Sequence, residues 1–425
     1  MSFQTGLSGL NSSSRSLDVI GNNIANANTV GMKSSRAEFA DLVASTNGLS
    51  GANNTGIGTA IGAVSQQFTQ GNINVTGNDL DVAINGGGFF QVSLRDGSTA
   101  YTRDEQFKLD NAGNIVNNSG AKLLGYATDI SGTPTSSIAQ TLNLPTAAPI
   151  AAKQTSAITA AFNLDARAAV AASATPPTPR TTYGTSLTAY DSQGVAMPVN
   201  LYFERAASTP ANLTAVPPVA ASDNWNVYDL AAGGAALLQM QFDTSGAPVS
   251  YTSGTPSVTT PATTPFALSI NPPSGITPTF TANLDLSKAT QYGASFAVSN
   301  LTQDGYAPGD LLSVKISEKG VITARYSNGQ TQAAGQIALA NFRNAQGLAA
   351  VGAGNWVETV NSGPAVPGAP GQGNLGVLAS GAVEESNVDL TAELVSMMTA
   401  QRAYQANAQT IKTQDQVMST LVNLR

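Results

Sequence analysis

The chain starts and finishes on the same seven-residue rhythm, and nothing between shares it. Phe3, Leu7, Leu10, Leu17 and Ile24 fall on alternating steps of three and four, with Ser14 and Gly21 in the two remaining places and Ile20 beside them. Leu390, Leu394, Met397, Tyr404, Ile411, Met418 and Val422 repeat the rule, with Gln401, Ala408 and Asp415 at the weaker positions. A heptad of this kind predicts two helices, each carrying a narrow apolar stripe. A lone helix of about 20 residues with so thin a face is marginal in water. Each stripe therefore calls for a partner, and the obvious one is the other terminus, of this chain or of a neighbour. The intervening chain must then run outward and come back.

Each helix carries end signals. "GNNIANANTVG" at 21–31 holds four Asn and no charge. Asn is poor in a helix interior and good in turns and caps, and it tolerates the left-handed conformation that ends helices. Asn22, Asn23, Asn26, Asn28 and Gly31 are therefore read as a helix stop and bend, made of amides that satisfy backbone groups without adding a charge. Before the second helix stand Glu384, Glu385 and Asp389, with Ser386 three residues ahead of Asp389. This spacing predicts a capping box and carboxylates at the positive end of the helix dipole.

Between the ends the period changes to two. "DLDVAINGGGFFQVSL" at 79–94 reads as strands around a hairpin turn at 85–88, and "FKLDNAGNIVN" at 107–117 as two strands joined at 110–113. "DLLSVKISEKGVITARYSNG" at 310–329 turns at 318–320. From about 145 to 278 the chain is rich in Ala, Thr, Ser and Pro but keeps strand-like pieces at 186–205 and 224–230. Residues 30–71 show no clear strand or helix period beyond 34–45, and the Gly-rich run 47–62 reads as a flexible connector. The fold class is α+β, mainly β. Terminal helices at 1–29 and 380–425 form a coiled-coil-like inner domain. A connector spans 30–71, an inner β domain 72–145 and 284–366, an inserted outer β domain 146–283, and a Gly/Pro-rich linker 367–379.

Composition removes most chemistry. At 425 residues the chain is long enough for two or three domains of about 150 each. A net charge of −7 with 11% charged residues argues against nucleic acid as a partner. The absence of Cys and His excludes disulfides, thiol chemistry, His-ligated metals and Ser-His mechanisms. "NGGGFF" lacks the Lys and Ser or Thr of a phosphate loop. "DNAGN" at 110–114 resembles the start of a calcium loop, but Ala121 stands where the twelfth-position Glu belongs. The acid pairs Asp79/Asp81 and Glu384/Glu385 fit a strand edge and a helix cap better than a glycosidase. No catalytic, cofactor or metal residue is assigned. No apolar run approaches the ~18 residues that span a bilayer, so membrane insertion is not expected. The first 20 residues lack the pattern of a cleaved secretory signal.

"LSGLNSSSRSLDVIGNNIANANTVGMKSS" at 7–35 resembles the N-terminal segment of the bacterial flagellar rod, hook and hook-associated family. "ESNVDLTAELVSMMTAQRAYQANAQTIKTQDQVMSTLVNLR" at 385–425 is similar to the matching C-terminal segment. Internal pieces at 68–92, 290–311 and 326–348 look like the hook members of that family. The resemblance implies a structural, self-assembling subunit of a tubular polymer, the flagellar hook, a flexible universal joint that transmits torque from rod to filament. It implies terminal helices packed as an inner tube and β domains outside. The partners implied are further copies, the rod, hook-cap and hook–filament junction proteins, and the flagellar type III export apparatus. The implied location is the flagellum, outside the cell, reached without a cleaved signal. A distal rod or other axial member of the family is the alternative reading, and a secreted β-rich adhesin a remote one.

Overall fold

The computed structural model describes residues 2–43, 56–144, 149–173, 178–211, 221–254, 258–272 and 278–423. It is mainly β, with helix α1 (Ser2–Ala25) near its start and helix α2 (Leu390–Asn423) near its end. The chain divides into two compact units. One is Met1–Ala148 with Leu311–Arg425, and the other is the continuous insertion Pro149–Asp310.

The inserted unit has a five-stranded and a six-stranded sheet whose inner faces share one core. Alternation does the sorting: Ile158, Ala160, Phe162 and Leu164 point inward from Ala157–Asp165, and Met197, Val199, Leu201 and Phe203 from Ala196–Arg205. Strand Ala157–Asp165 is the keystone of its sheet. It pairs parallel with Phe280–Asp285 and Thr290–Tyr292, and antiparallel with Ala297–Gln303. Residues 284–310 therefore belong to this unit, whereas local patterning groups them with the inner β domain. Parallel pairing joins distant segments and leaves no hairpin signal in the sequence.

In the larger unit a 13-stranded sheet carries most of the strands. The hairpins at 107–117 and 311–326 form as read. The segment at 79–94 does not make a hairpin. Val82–Asn85 pairs with Val377–Ser380, while Phe89–Ser93 joins the large sheet. Its glycines serve a crossing instead: a Cβ on Gly86 would lie 2.9 Å from Gly376 Cα, and Gly86 has φ of 121°. The stretch 367–379 contributes strand residues at both ends, in Val366–Gly368 and Val377–Ser380.

The connector region contains an antiparallel ladder, β1 (Ser35–Val43) and β2 (Gly56–Gln66), in place of the patternless run expected there. Residues 44–55 lie outside the described residues. Glycines weaken a strand by propensity, but here Gly58 admits α1. A Cβ on Gly58 would fall 2.1 Å from Ser8 Oγ, and Ser12 Oγ is 2.8 Å from Thr59 Oγ1.

One turn device recurs. In 110–114, 129–133, 191–195 and 243–247, an Asp Oδ1 accepts the N–H groups two and four residues on. The fourth residue is a Gly with φ between 79° and 92°. The calcium-like look of "DNAGN" is this turn. The Asp110 carboxylate is occupied by Asn114 and the backbone, which also holds its pKa below the ordinary value.

Candidate assembly surface

The two helices pack antiparallel. Gly6 sits against Ile411 and Gly9 against Asn407, where added Cβ atoms would come within 3.1 and 2.8 Å. Near the other end, Asn23 Nδ2 donates to Glu393 Oε1 at 2.9 Å. Between these points Ser13, Ser16 and Ile20 share a groove with Ser396, Ala400 and Ala403. The seam on α1 is thus Gly6, Gly9, Ser13, Ser16, Ile20 and Asn23, itself a heptad. It runs one residue out of step with the apolar stripe.

One residue is about 100° of rotation on a helix, and that rotation decides where the stripe goes. Ile20 is buried in the seam and Ile411 lines it. Leu10, Leu17, Ile24 and Met397 are half-buried. Phe3, Leu7, Leu390, Leu394, Tyr404 and Met418 are exposed, Leu394 to 51% and Met418 to 55%. Val422 lies in α2 and its side chain is outside the described residues. Of the two partners expected for each stripe, the other terminus of the same chain does not bury it. Small residues let the backbones approach closely, and the large side chains turn away. Val395, Met398 and Val417 extend the exposed surface, and the heptad reading missed them.

The Asn cluster ends α1, but by other means than a left-handed Asn. Among the described residues the only non-Gly with positive φ is Ala353. The helix tightens instead: Asn26 N–H and Nδ2 both donate to Asn22 O, and Ala27 N–H donates to Ile24 O at 3.3 Å. Asn22 and Asn28 are exposed. Asn23 is 1% exposed and works as a bridge, donating to Ser35 O and Glu393 and accepting from Ser35 N–H. Gly31 has φ of 69°, and a Cβ there would lie 1.9 Å from Arg103 O.

Nor is the bend free of charge. Lys33 is 1% exposed, and its Nζ lies 2.7 Å from Glu384 Oε1. Arg103 reaches Glu384 Oε2 at 3.2 Å, and Gly71 N–H donates to Glu384 Oε1 at 2.5 Å. Glu105 accepts the N–H groups of Ile84 and Glu384. Burial pushes Glu105 up to about 8 against the N–H groups of Ile84 and Glu384, and burial lowers Lys33 against the Glu384 carboxylate. Glu384 is therefore a buried hub in a strand and not part of the helix cap. Asp389 alone caps α2, accepting from Thr391 and Ala392 N–H, while Ser386 accepts from Val388 and forms no capping box. Asn387 completes the root, accepting Ser34 N–H at 2.8 Å and donating to Gln67 O at 2.7 Å. Sequence reading had no signal for Lys33, Arg103 or Glu105, because their meeting is purely tertiary.

Both ends match known families: residues 3–33 the flagella basal body rod protein family, and 379–424 the flagellar basal body rod FlgEFG protein C-terminal family. Between them, 83–159 match the flagellar hook protein FlgE/F/G D1 domain and 163–306 the flagellar basal body protein FlaE D2 domain. Over 441 residues the chain is 41% identical to the flagellar hook protein FlgE of Salmonella typhimurium, with all of both chains covered. The chain belongs to the flagellar hook protein family. It is 40% identical to the Escherichia coli hook protein over 437 residues, with all of both chains covered. The Treponema pallidum hook protein is 35% identical over 460 residues, covering 100% of this chain and 99% of the relative. A solved hook protein, FlgE2 of Helicobacter pylori, shares the fold with a TM-score of 0.50 at 13% identity, over 72% of this chain and 98% of that one. As a hook subunit this chain has a structural role in the flagellum.

Proposed function

We propose that this hook subunit polymerises through the apolar face that its helix pair leaves uncovered, forming a flexible tube that carries torque from rod to filament. The observation that carries the reading is the division of labour on the helices. A small-residue seam satisfies the pair within one chain. Leu7, Leu394, Met398, Tyr404 and Met418 remain exposed along the pair, and grouped exposed apolar side chains mark interaction surfaces. Burying a Leu or Met side chain contributes about 1.5–3 kcal/mol before entropy is counted, and a helical lattice repeats that contact at every copy. In this reading the terminal helices form the inner tube, and the β units lie outside it. The rod, cap and junction proteins meet the two ends of the polymer, and the subunits arrive through the flagellar type III apparatus.

The test is Leu394→Asn combined with Tyr404→Asn in the full chain, examined by negative-stain microscopy and by motility. The reading expects a folded monomer that no longer forms tubes. Normal tubes from this variant would show that the stripe is not the assembly surface. The inserted unit gives a second lever. Joining residue 148 to 311 through a short Gly-Ser linker is expected to leave tubes that form but bend differently, and loss of all assembly would contradict that assignment.

A further inference from the structure

The seam between α1 and α2 is made largely of Gly, Ser and Ala. Such a seam offers little apolar area and few interlocking side chains, so it does little to fix the direction of the helix pair. Something else must. The structure offers the buried cluster at the root of the pair, where Lys33, Arg103, Glu105 and Glu384 are each at most 4% exposed.

Glu384 makes five connections from that position. Its carboxylate holds Lys33, Arg103 and Gly71, its N–H bonds Glu105, and its carbonyl accepts Gly31 N–H at 3.0 Å. Gly31 and Lys33 lie just after α1, and Glu384 lies six residues before α2. Arg103 and Glu105 come from the β fold, where Arg103 also donates to Gly86 O at 2.9 Å and stacks 5.5 Å from the Phe89 ring centroid. The exit of one helix, the entry of the other and the β fold thus meet on a single side chain. Taking away one member leaves buried charge without its partner, which is far costlier than losing a surface ion pair.

We propose that this cluster positions the helix pair. It fixes where α1 leaves and α2 enters, and so aims the exposed face of the helices in one direction from the β fold. These are positioning residues: they act through the helices they hold. The claim concerns a single chain and stands apart from the polymer reading.

Hydrogen exchange on the monomer tests it, with Glu384→Gln, which keeps the shape and removes the charge, and Lys33→Met as the second variant. Both are expected to speed exchange in 2–25 and 390–423 by roughly ten-fold or more, while Leu311–Ile316 and Val321–Tyr326 stay as slow as in the parent. Glu38→Gln is the control. It breaks the Arg36–Glu38 pair, whose side chains are 68% and 44% exposed, and should change nothing in the helices. Three results would overturn the proposal. The helices keep their protection in both variants; helices and β strands lose protection equally, which would make the cluster a general stabiliser; or the control frees the helices as much as Glu384→Gln does.

Discussion

The inserted unit and the terminal helix pair close their interiors with opposite materials. The insertion uses Trp225, Phe203, Phe162 and Phe242, all at 2% exposure or less, between two sheets. The helix pair uses Gly6, Gly9, Ser13 and Ala400 and turns Leu7, Leu394, Met398 and Met418 outward. Large side chains interlocked at crystal-like density make a core that one copy completes. A small-residue seam with its apolar residues outside is, on the assembly proposed above, half of an interface. The same chain thus carries one region finished as a monomer and one whose apolar side is left open.

Four changes probe that contrast, in falling order of effect. Phe203→Ala should cost the insertion about 3–5 kcal/mol, seen in calorimetry as a lowered transition, with helix exchange unchanged. A loss shared by both regions would erase the distinction. Gly31→Ala should destabilise the root of the helices by more than about 1 kcal/mol, because its φ is 69° and the added Cβ meets Arg103 O. Its effect should appear in exchange at 2–25 and not in the calorimetric transition of the insertion.

The third concerns pH. Burial raises Glu105 from 4.5 to about 8, so the folded chain holds that proton more tightly than the unfolded one. Its contribution is fully present below about pH 4.5 and is lost as pH rises through about 8. Denaturant titrations of the larger unit should show stability falling across that window, and Glu105→Gln should flatten the fall. The smallest effect is expected at the exposed stripe. Leu394→Asn should move monomer stability by no more than about 0.5 kcal/mol, since Leu394 is 51% exposed, while sedimentation reports reduced polymer. A large loss of monomer stability would mean the stripe is already part of a core.

Much of this was legible in the chain. The hairpins at 107–117 and 311–326 were readable because alternation and a short polar turn closing on Gly are both local. The strand at 56–66 was hidden by its own glycines, of which Gly58 answers to Ser8 on α1 and not to strand propensity. "NGGGFF" read as a hairpin because local rules cannot say that its two flanking strands leave for different partners. The candidate surface was half legible. Heptad spacing found the apolar residues, but the direction they face depends on which neighbouring heptad the helices choose for their seam.

By itself the sequence determined the two terminal helices, the β character of the middle, the Asn-rich stop after α1 and the resemblance to an axial family. All of these rest on periodicity and composition over short windows. Tertiary structure alone decided that the stop works through Asn23 as a bridge and Gly31 as a close approach. It decided that a buried carboxylate at 384 gathers the cations of Lys33 and Arg103 while the Glu384 N–H donates to Glu105, and that the apolar stripe faces outward. The physical reason is distance along the chain. Helical and strand periods are set by neighbours a few residues away, whereas the seam joins Gly6 to Ile411 and the charge cluster joins Lys33 to Glu384, 351 residues on, where only packing and burial choose the partner.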